Sequence, residues 1–210
     1  MILLLDHANA LIVAGFIFLM IMALQTRVQA ISIEQTANYV LKSQSADLAS
    51  WMEEDMLTLG SNIDPNKEVP FLNPVDSAGL TTSFTFFRDT LDTDLDPPDT
   101  VRVATRYRLV HTGTKTVNSE EIEVYRLARD QRIGSGAWEE QGGSSSLLGS
   151  FRVDMLDADA RPVADPATVA AGNPDEIRNT RVRFSMVTPF ETTRTTVRRA
   201  YYGSTLLIGN

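Results

Sequence analysis

The sequence predicts an α+β fold in which one long N-terminal helix packs on an antiparallel β-sheet domain. Three observations predict it. The first 24 of the 210 residues are almost wholly apolar, a helical pattern then runs without proline to Gly60, and short alternating segments separated by glycine, serine and proline turns follow. We therefore divide the chain into a transmembrane helix at 1–24, an amphipathic stalk helix at 25–60 and a β-rich globular head at 61–210.

The apolar segment is long enough to cross a membrane. Ala10–Leu24 is an unbroken apolar run, and Ile2–Leu5 extends it toward the roughly 17–25 residues that a spanning helix needs. A cleaved signal peptide ending at Ala30 is the alternative. It is disfavoured because the region before the run contains an acid, Asp6, and no lysine or arginine.

Asp6 and Gly15 are the unusual residues of this segment. A carboxylate among apolar helices is costly unless it is paired, so the α-amine of Met1 in a neighbouring copy could neutralise Asp6 and set the axial register. The alternative is an acid at the membrane interface, near the positive end of the helix dipole. Gly15 weakens a helix by about 1 kcal/mol relative to alanine, so it allows either local unwinding or close helix contact.

The stalk carries one apolar stripe at helical spacing, with polar residues elsewhere. Gly60 fits a C-cap, and Pro65 lies just beyond it. We expect the stripe to lie across the sheet and its later residues to join the core. The stripe consists of Val28, Ile31, Val40, Leu41, Leu48, Trp51, Met52, Met56 and Leu59.

Alternating segments in the head predict half-buried strands. The predicted strands are Ser83–Phe87, Val101–Leu109, Glu121–Ala128, Leu148–Leu156, Arg181–Val187 and Thr195–Tyr202, with a long loop at Ala160–Asp175. The second strand should turn its apolar residues to the stalk and its arginines outward. We expect Arg102, Arg106, Arg108, Arg181 and Arg183 to pair across strands with acids such as Glu121 and Glu123. A basic face for a partner subunit or a polyanion is the alternative.

The charge of the chain is uneven. The net charge is −8, with 14 acids and 4 bases in residues 1–99 and 13 acids and 15 bases in residues 100–210. The two halves could attract each other between neighbouring copies, or the surface could simply be solvated. The acidic total disfavours nucleic-acid binding.

The sequence offers little chemistry. There is no cysteine, which excludes disulfides and thiolate metal sites, and the two histidines, His7 and His111, lie far apart. No catalytic motif is present, so we expect no enzyme. Asp92, Asp94 and Asp96 alternate in a manner suited to calcium, but the glycine and glutamate of an EF-hand loop are absent. A solvated acidic turn is the alternative, and calcium is the sole cofactor considered.

Several segments together resemble the type IV pilin and type II secretion pseudopilin superfamily, with a soluble part similar to its minor-pilin-like members. The N-terminus is atypical: it lacks a basic leader ending in glycine, and its acid is aspartate where the family has glutamate. Removal of Met1 would make Asp6 the fifth residue and Gly15 the fourteenth, as in the family. The segments are Ala49–Met56, Val103–Leu109, Tyr125–Arg129, Phe151–Leu156 and Ile177–Phe184.

The resemblance implies a structural subunit of an extracellular type IV pilus-like filament. Such a subunit rests in the inner membrane as a monomer, is handled by the pilus assembly machinery, and joins a helical homo-oligomer on the cell surface. The apolar helix then becomes the filament core, packed through Leu3, Leu4, Ile12, Val13, Phe16, Ile17, Phe18 and Met20. The alternatives are a minor pilin or pseudopilin that initiates or caps a filament or serves secretion, and a single-pass membrane-anchored ligand-binding module.

Overall fold

A computed structural model describes residues 2–92, 99–117, 120–145, 147–187 and 199–207. At residues 2–6, 116–117, 120, 199 and 207 the description covers the backbone alone. Within these ranges one long helix packs on an eight-stranded antiparallel sheet, which confirms the predicted α+β class.

Helix α1 runs from Ile2 to Leu57, 56 residues without a break. At 1.5 Å per residue this is about 84 Å. The chain leaves the helix through a turn in which Gly60 has a φ of 78°, a left-handed conformation that glycine adopts without steric cost. The Gly60 N–H donates to the Phe87 carbonyl at 2.9 Å, so the helix end is tied directly to the sheet.

The sheet has the order β1-β2-β3-β4-β6-β7-β8, with β5 paired to β4 beside this path. Every pairing is antiparallel. The strands are β1 Val75–Ser77, β2 Leu80–Asp92, β3 Asp99–Val117, β4 Glu120–Ile133, β5 Glu139–Gly143, β6 Leu148–Leu156, β7 Asn179–Val187 and β8 Arg199–Leu207.

The sheet curls so that β6 approaches the start of β2. β6 pairs with β4 at Tyr125 and Leu148. Farther along, the Val153 N–H donates to Thr81 Oγ1 at 3.1 Å, although the two residues lie on strands that are not neighbours in the sheet. We call the face of the sheet that packs on α1 the concave side, and the opposite face the convex side.

The core lies between α1 and the concave side of the sheet. Met52 and Met56, predicted as core residues, are each 1% exposed, and Trp51 is half-buried against the same cluster. Each apolar side chain moved out of water in this way contributes about 1.5–3 kcal/mol. The largest fully buried side chains from the sheet are Tyr107, Phe84, Phe86, Phe151, Leu127, Leu148, Met155, Leu156 and Met186.

Four of the predicted strands lie inside longer observed ones, the predicted strand Leu148–Leu156 has the same bounds as β6, and the last predicted strand overlaps β8 at residues 199–202. Several short elements were missed. A short helix, α2, spans Pro166–Gly172 within the segment predicted to be a loop. β1 and β5 were also missed. They have three and five residues and are exposed throughout, so no buried alternation marks them. Residues 195–198 of the last predicted strand lie outside the described residues.

Candidate assembly surface

Helix α1 divides into two parts that differ in burial. Every residue from 7 to 33, which we call the exposed half, lies in solvent, whereas residues 37–57, the packed half, contact the sheet. Among the side chains that the structure describes, the first buried one is Ala37, followed by Leu41 and Leu48. The apolar stripe predicted over the whole stalk therefore packs on the head only from Ala37 onward, and Val28 and Ile31 remain exposed.

Within the exposed half, residues 10–24 are apolar on all sides of the helix. Phe16 is 66% exposed and Met20 71%, and their neighbours on the opposite faces of the helix are exposed to a similar degree. By length and composition, α1 can cross a membrane, and none of its most apolar stretch is buried by the rest of the chain. A surface of this kind is stable only when lipid or another apolar partner covers it. A long apolar N-terminal helix is thus compatible with membrane anchoring.

The residues predicted for filament-core packing all fall on this helix. Side chains 12, 13, 16, 17, 18 and 20 of that set are exposed. For Leu3, Leu4 and Asp6 only the helical backbone is described, and Met1 lies outside the described residues. Gly15 is helical, and a Cβ added there would meet nothing within 4 Å. Its small size therefore serves no contact within the chain, and its assembly role stays a prediction.

The packed half is held on the sheet by a buried polar group at Asp55. Arg129 Nε and Nη2 donate to the two carboxylate oxygens at 2.6 and 2.8 Å, and the Tyr107 hydroxyl donates to Oδ2 at 2.8 Å. Both charged side chains are less than 15% exposed. Burial, together with the charge of Asp55, raises the pKa of Tyr107 well above its usual value. This bidentate pair fixes the rotation of the helix relative to β3 and β4.

Two further contacts set the position of the same half. The Tyr202 hydroxyl on β8 donates to Glu53 Oε1, and Tyr202 stacks on Phe184 with ring centroids 4.9 Å apart. One turn before Asp55, the rings of Trp51 and Tyr107 pack in a T-shaped arrangement with their centroids 5.7 Å apart. The helix is therefore clamped on both sides of its axis over residues 51–55.

On the convex side of the sheet, arginines surround two buried aspartates. Asp130 Oδ2 accepts from Arg106 Nη2 at 2.6 Å and from Arg108 Nε at 3.1 Å. Burial of Asp130 alone would raise its carboxyl pKa, but hydrogen bonds from Arg108 and Arg106 outweigh it, so the pKa lies below its usual value. The pKa of Asp154 is also lowered. Its burial alone would raise the pKa, but hydrogen bonds from arginines on β6 and β7 outweigh that effect.

The prediction of paired, outward-facing arginines is confirmed, but the predicted partners were wrong. Arg102 binds Asp89 and Glu68, and the other four bind Asp130 or Asp154. Glu123 instead accepts the hydroxyl of Tyr125. The sequence did not single out the two buried aspartates, because each stands at an ordinary outward position of an alternating strand. The signal available in the sequence for these two aspartates was a single acid with an arginine two residues away on the same strand.

The predicted calcium residues are mostly outside the described residues. Asp92 ends β2 and is half-buried, and Asp94 and Asp96 fall in the interval that the structure does not describe. In the ranges described, no group of three or more histidine, cysteine, aspartate or glutamate side chains is placed to hold a metal ion. The calcium site stays a prediction.

A cleft of about 340 Å³ opens where α1 passes the end of β5. Ser145 Oγ donates to Gln44 Oε1 across it at 3.2 Å. Its walls are mixed in character and include no convergent set of charged or titratable groups. The lining residues are Gln44, Asp47, Leu48, Trp51, Gly143, Ser144, Ser145 and Met186.

Comparison with known proteins gave no relative. No protein-family model, no curated protein and no solved structure matches the chain. The long apolar helix on an antiparallel sheet is compatible with a pilin-like architecture, and that statement depends on the fold alone.

Proposed function

We propose that the chain is a structural subunit of an extracellular type IV pilus-like filament. The observation that supports the proposal is the exposed half of α1: 27 consecutive residues, 7–33, project from the head with no side chain buried. The same helix continues without a break into the packed half, so a contact made at one end is transmitted rigidly to the head. We infer no catalytic role and no cofactor.

In this proposal the exposed half has two successive environments. In the monomer, the lipid of the inner membrane covers the side chains from Leu11 to Leu24. In the filament, equivalent helices from other copies replace the lipid, and the pilus assembly machinery performs the exchange. Because apolar contacts are equally available in both environments, the difference in free energy comes from close packing and from polar pairing. Asp6 and the α-amine of Met1 are the proposed polar pair.

The contacts of Asp55 and Glu53 with the sheet support the proposal that α1 holds the head at a fixed orientation. A filament subunit must keep its head at a fixed rotation about the core helix, since each lateral contact repeats along the assembly. The bidentate Arg129 pair and the Tyr202 contact fix that rotation from two sides. A flexibly tethered head would need neither contact.

The test is electron microscopy of material sheared from cells that express the wild type, Asp6→Ala or Leu57→Ala, with mass spectrometry of the recovered N-terminus. Leu57 is exposed on the same helix outside the apolar segment, so its variant is the matched control. We expect filaments from the wild type and the control, and loss of filaments with Asp6→Ala. The measured mass decides whether Met1 is retained.

Other outcomes would assign another role. Filaments that contain this chain only in trace amounts would make it a minor pilin or pseudopilin that initiates or caps the assembly or serves secretion. Protein found only as a membrane-embedded monomer in all three strains would overturn the filament and leave a single-pass anchored binding module.

A further inference from the structure

Three arginines converge on one carboxylate on the convex side of β6 and β7. Asp154 Oδ1 accepts from Arg152 Nε at 2.9 Å. Its Oδ2 accepts from Arg181 Nη2 at 3.1 Å and from Arg183 Nη2 at 2.6 Å. Asp154 is 6% exposed, so it lies beneath the guanidinium groups and not beside them. We call these four residues the Asp154 cluster.

Among the described ion pairs of this face, the Asp154 cluster has the most arginines bound to a single carboxylate. Three guanidinium groups against one carboxylate leave two formal positive charges. By contrast, Arg102 faces two acids, Asp89 and Glu68. The cluster at Asp130 also includes Glu140, which leaves one positive charge for Arg106, Arg108 and Arg126. Arg132 shares the Trp138 ring with Arg106 beside the Asp130 cluster, so the Asp154 cluster differs in that three guanidinium groups converge on one carboxylate.

Two of the arginines keep much of their surface in solvent. The side chains of Arg152 and Arg183 are 44% and 46% exposed, although each is held at one end by Asp154. A guanidinium has five N–H donors, and the bonds to Asp154 use one from each of these two residues. Asp154 thus acts as a positioning residue that orients two partly free forks outward.

The strand β8 supplies an aromatic ring and a gap beside these forks. Residues directly opposite in an antiparallel pair place their side chains on the same face. Arg183 is opposite Gly203, and Ser185 is opposite Tyr201, so Tyr201 lies next to the cluster on the convex side. Tyr201 is 75% exposed, and Gly203 adds no side chain over Arg183. The result is an open, shallow patch with a ring at one border.

We propose that this patch binds the uronic-acid units of an acidic polysaccharide. The planar fork of arginine matches a carboxylate through two parallel hydrogen bonds, and an exposed tyrosine ring can cover the C–H face of a sugar. Two net positive charges suit a polymer with one carboxylate per sugar. Double-stranded nucleic acid carries one charge per about 1.7 Å of its axis, so it needs a longer basic track than this patch offers.

The patch lies on the head, on the face of the sheet opposite to the one that carries Phe184 and Tyr202 and packs on α1. Binding therefore does not depend on whether the chain forms a filament. The test uses the full-length chain as a monomer in neutral detergent, so that failure of assembly and failure of binding are read separately.

The probe is a hexasaccharide of mannuronic acid, titrated into the protein by isothermal calorimetry at low salt. We expect Arg152→Gln combined with Arg183→Gln to weaken binding by about tenfold for each arginine, since each lost charged hydrogen bond contributes on the order of 1.4 kcal/mol or more. Tyr201→Ala should weaken it less. The matched control is Arg161→Gln combined with Arg178→Gln, which removes the same charge from exposed positions outside the patch and should retain the affinity.

Circular dichroism and thermal melting of each variant decide whether the comparison is valid. If the double variant at the patch fails to fold, Tyr201→Ala and Arg152→Gln alone provide the test, because Tyr201 is 75% exposed and the Arg152 side chain 44% exposed. Absence of hexasaccharide binding by the wild type overturns the proposal, as does equal weakening in the control. Tighter binding of a single-stranded DNA hexamer, lost with the same two arginines, would also overturn it and assign the patch to nucleic acid.

Discussion

The two halves of α1 belong to one continuous helix but satisfy opposite requirements. Over residues 7–33 every side chain is exposed and most are apolar, whereas over residues 37–57 most apolar side chains lie on one face and pack against the sheet, with Tyr39 and Leu57 as exposed exceptions. The packed half has polar partners as well, at Asp55 and Glu53. In the part of the chain that the structure describes, the head buries no side chain of the exposed half.

The contrast between the two halves means that the apolar surroundings of the exposed half must come from outside the chain. A helix that is apolar all round is stable in lipid or in a bundle, and one with an apolar stripe is stable on a sheet. The change from one pattern to the other near Ala37 marks where the head stops supporting the helix. Changes on each side of this point should therefore affect different properties.

The largest expected effect comes from removing the exposed half altogether. A fragment that starts at residue 31 should keep a cooperative thermal transition, because it retains all the buried helical residues, and should lose membrane association and assembly completely. Circular dichroism and liposome flotation measure the two properties. An unfolded fragment would mean that the exposed half stabilises the head, which would contradict the division of α1 into two independent halves.

Within the packed half, Asp55→Ala should lower the free energy of unfolding by about 3–5 kcal/mol, because it leaves the Arg129 charge buried without its partner. Denaturant titration of the head measures the loss. Glu54→Ala is the control. Glu54 directly precedes Asp55 and is exposed, so this variant should change the free energy of unfolding by about 0.5 kcal/mol or less. Similar losses for both variants would mean that the pair does not fix the helix.

Two methionine substitutions, one in each half of α1, compare the halves with the same change of side chain. Met52→Ala should cost about 2–5 kcal/mol of head stability because it opens a cavity in a filled core. Met20→Ala removes the same atoms from a side chain that is 71% exposed, so head unfolding should be nearly unchanged while assembly weakens. Equal effects of the two on unfolding would contradict the division of the helix.

The smallest expected effect is a pH dependence confined to the head. Folding lowers the pKa of Asp130 and Asp154, so the unfolded chain binds more protons in acid. The resulting stability is present above the ordinary aspartate pKa of 3.8 and is lost as pH falls below it. Thermal melting between pH 7 and pH 3 should show this decrease, and Asp154→Asn should reduce its slope. A flat profile would contradict the ion-pair geometry.

The sequence predicted the architecture because its strongest signals are long. A proline-free helical pattern ending at Gly60 and alternating strands of nine residues persist over many positions, so local irregularities do not hide them. β1, β5 and α2 escaped prediction because short, exposed or proline-led elements have no such periodicity. α2 begins at Pro166 and has only two buried residues.

The polar clusters could be predicted only in part. Outward arginines follow from alternation on one strand, and that held for Arg106 and Arg181. Which acid each one binds depends on how strands distant in sequence are placed side by side, as when β3 brings Arg106 opposite Asp130 of β4. Likewise, nothing in the stalk sequence marks Asp55 as different from Glu53 and Glu54 until Arg129 is placed above it.

The most direct test of the central claim uses the absence of native cysteine. Phe16→Cys and Tyr39→Cys each introduce one thiol at an exposed position of the isolated chain, on either side of residues 33–37. In intact cells we measure labelling by a water-soluble maleimide and disulfide cross-linking between copies. We expect the thiol at position 16 to resist labelling and to cross-link to a second copy, whereas the thiol at position 39 should be labelled freely in unassembled protein. Rapid labelling at position 16 without cross-linking would contradict it.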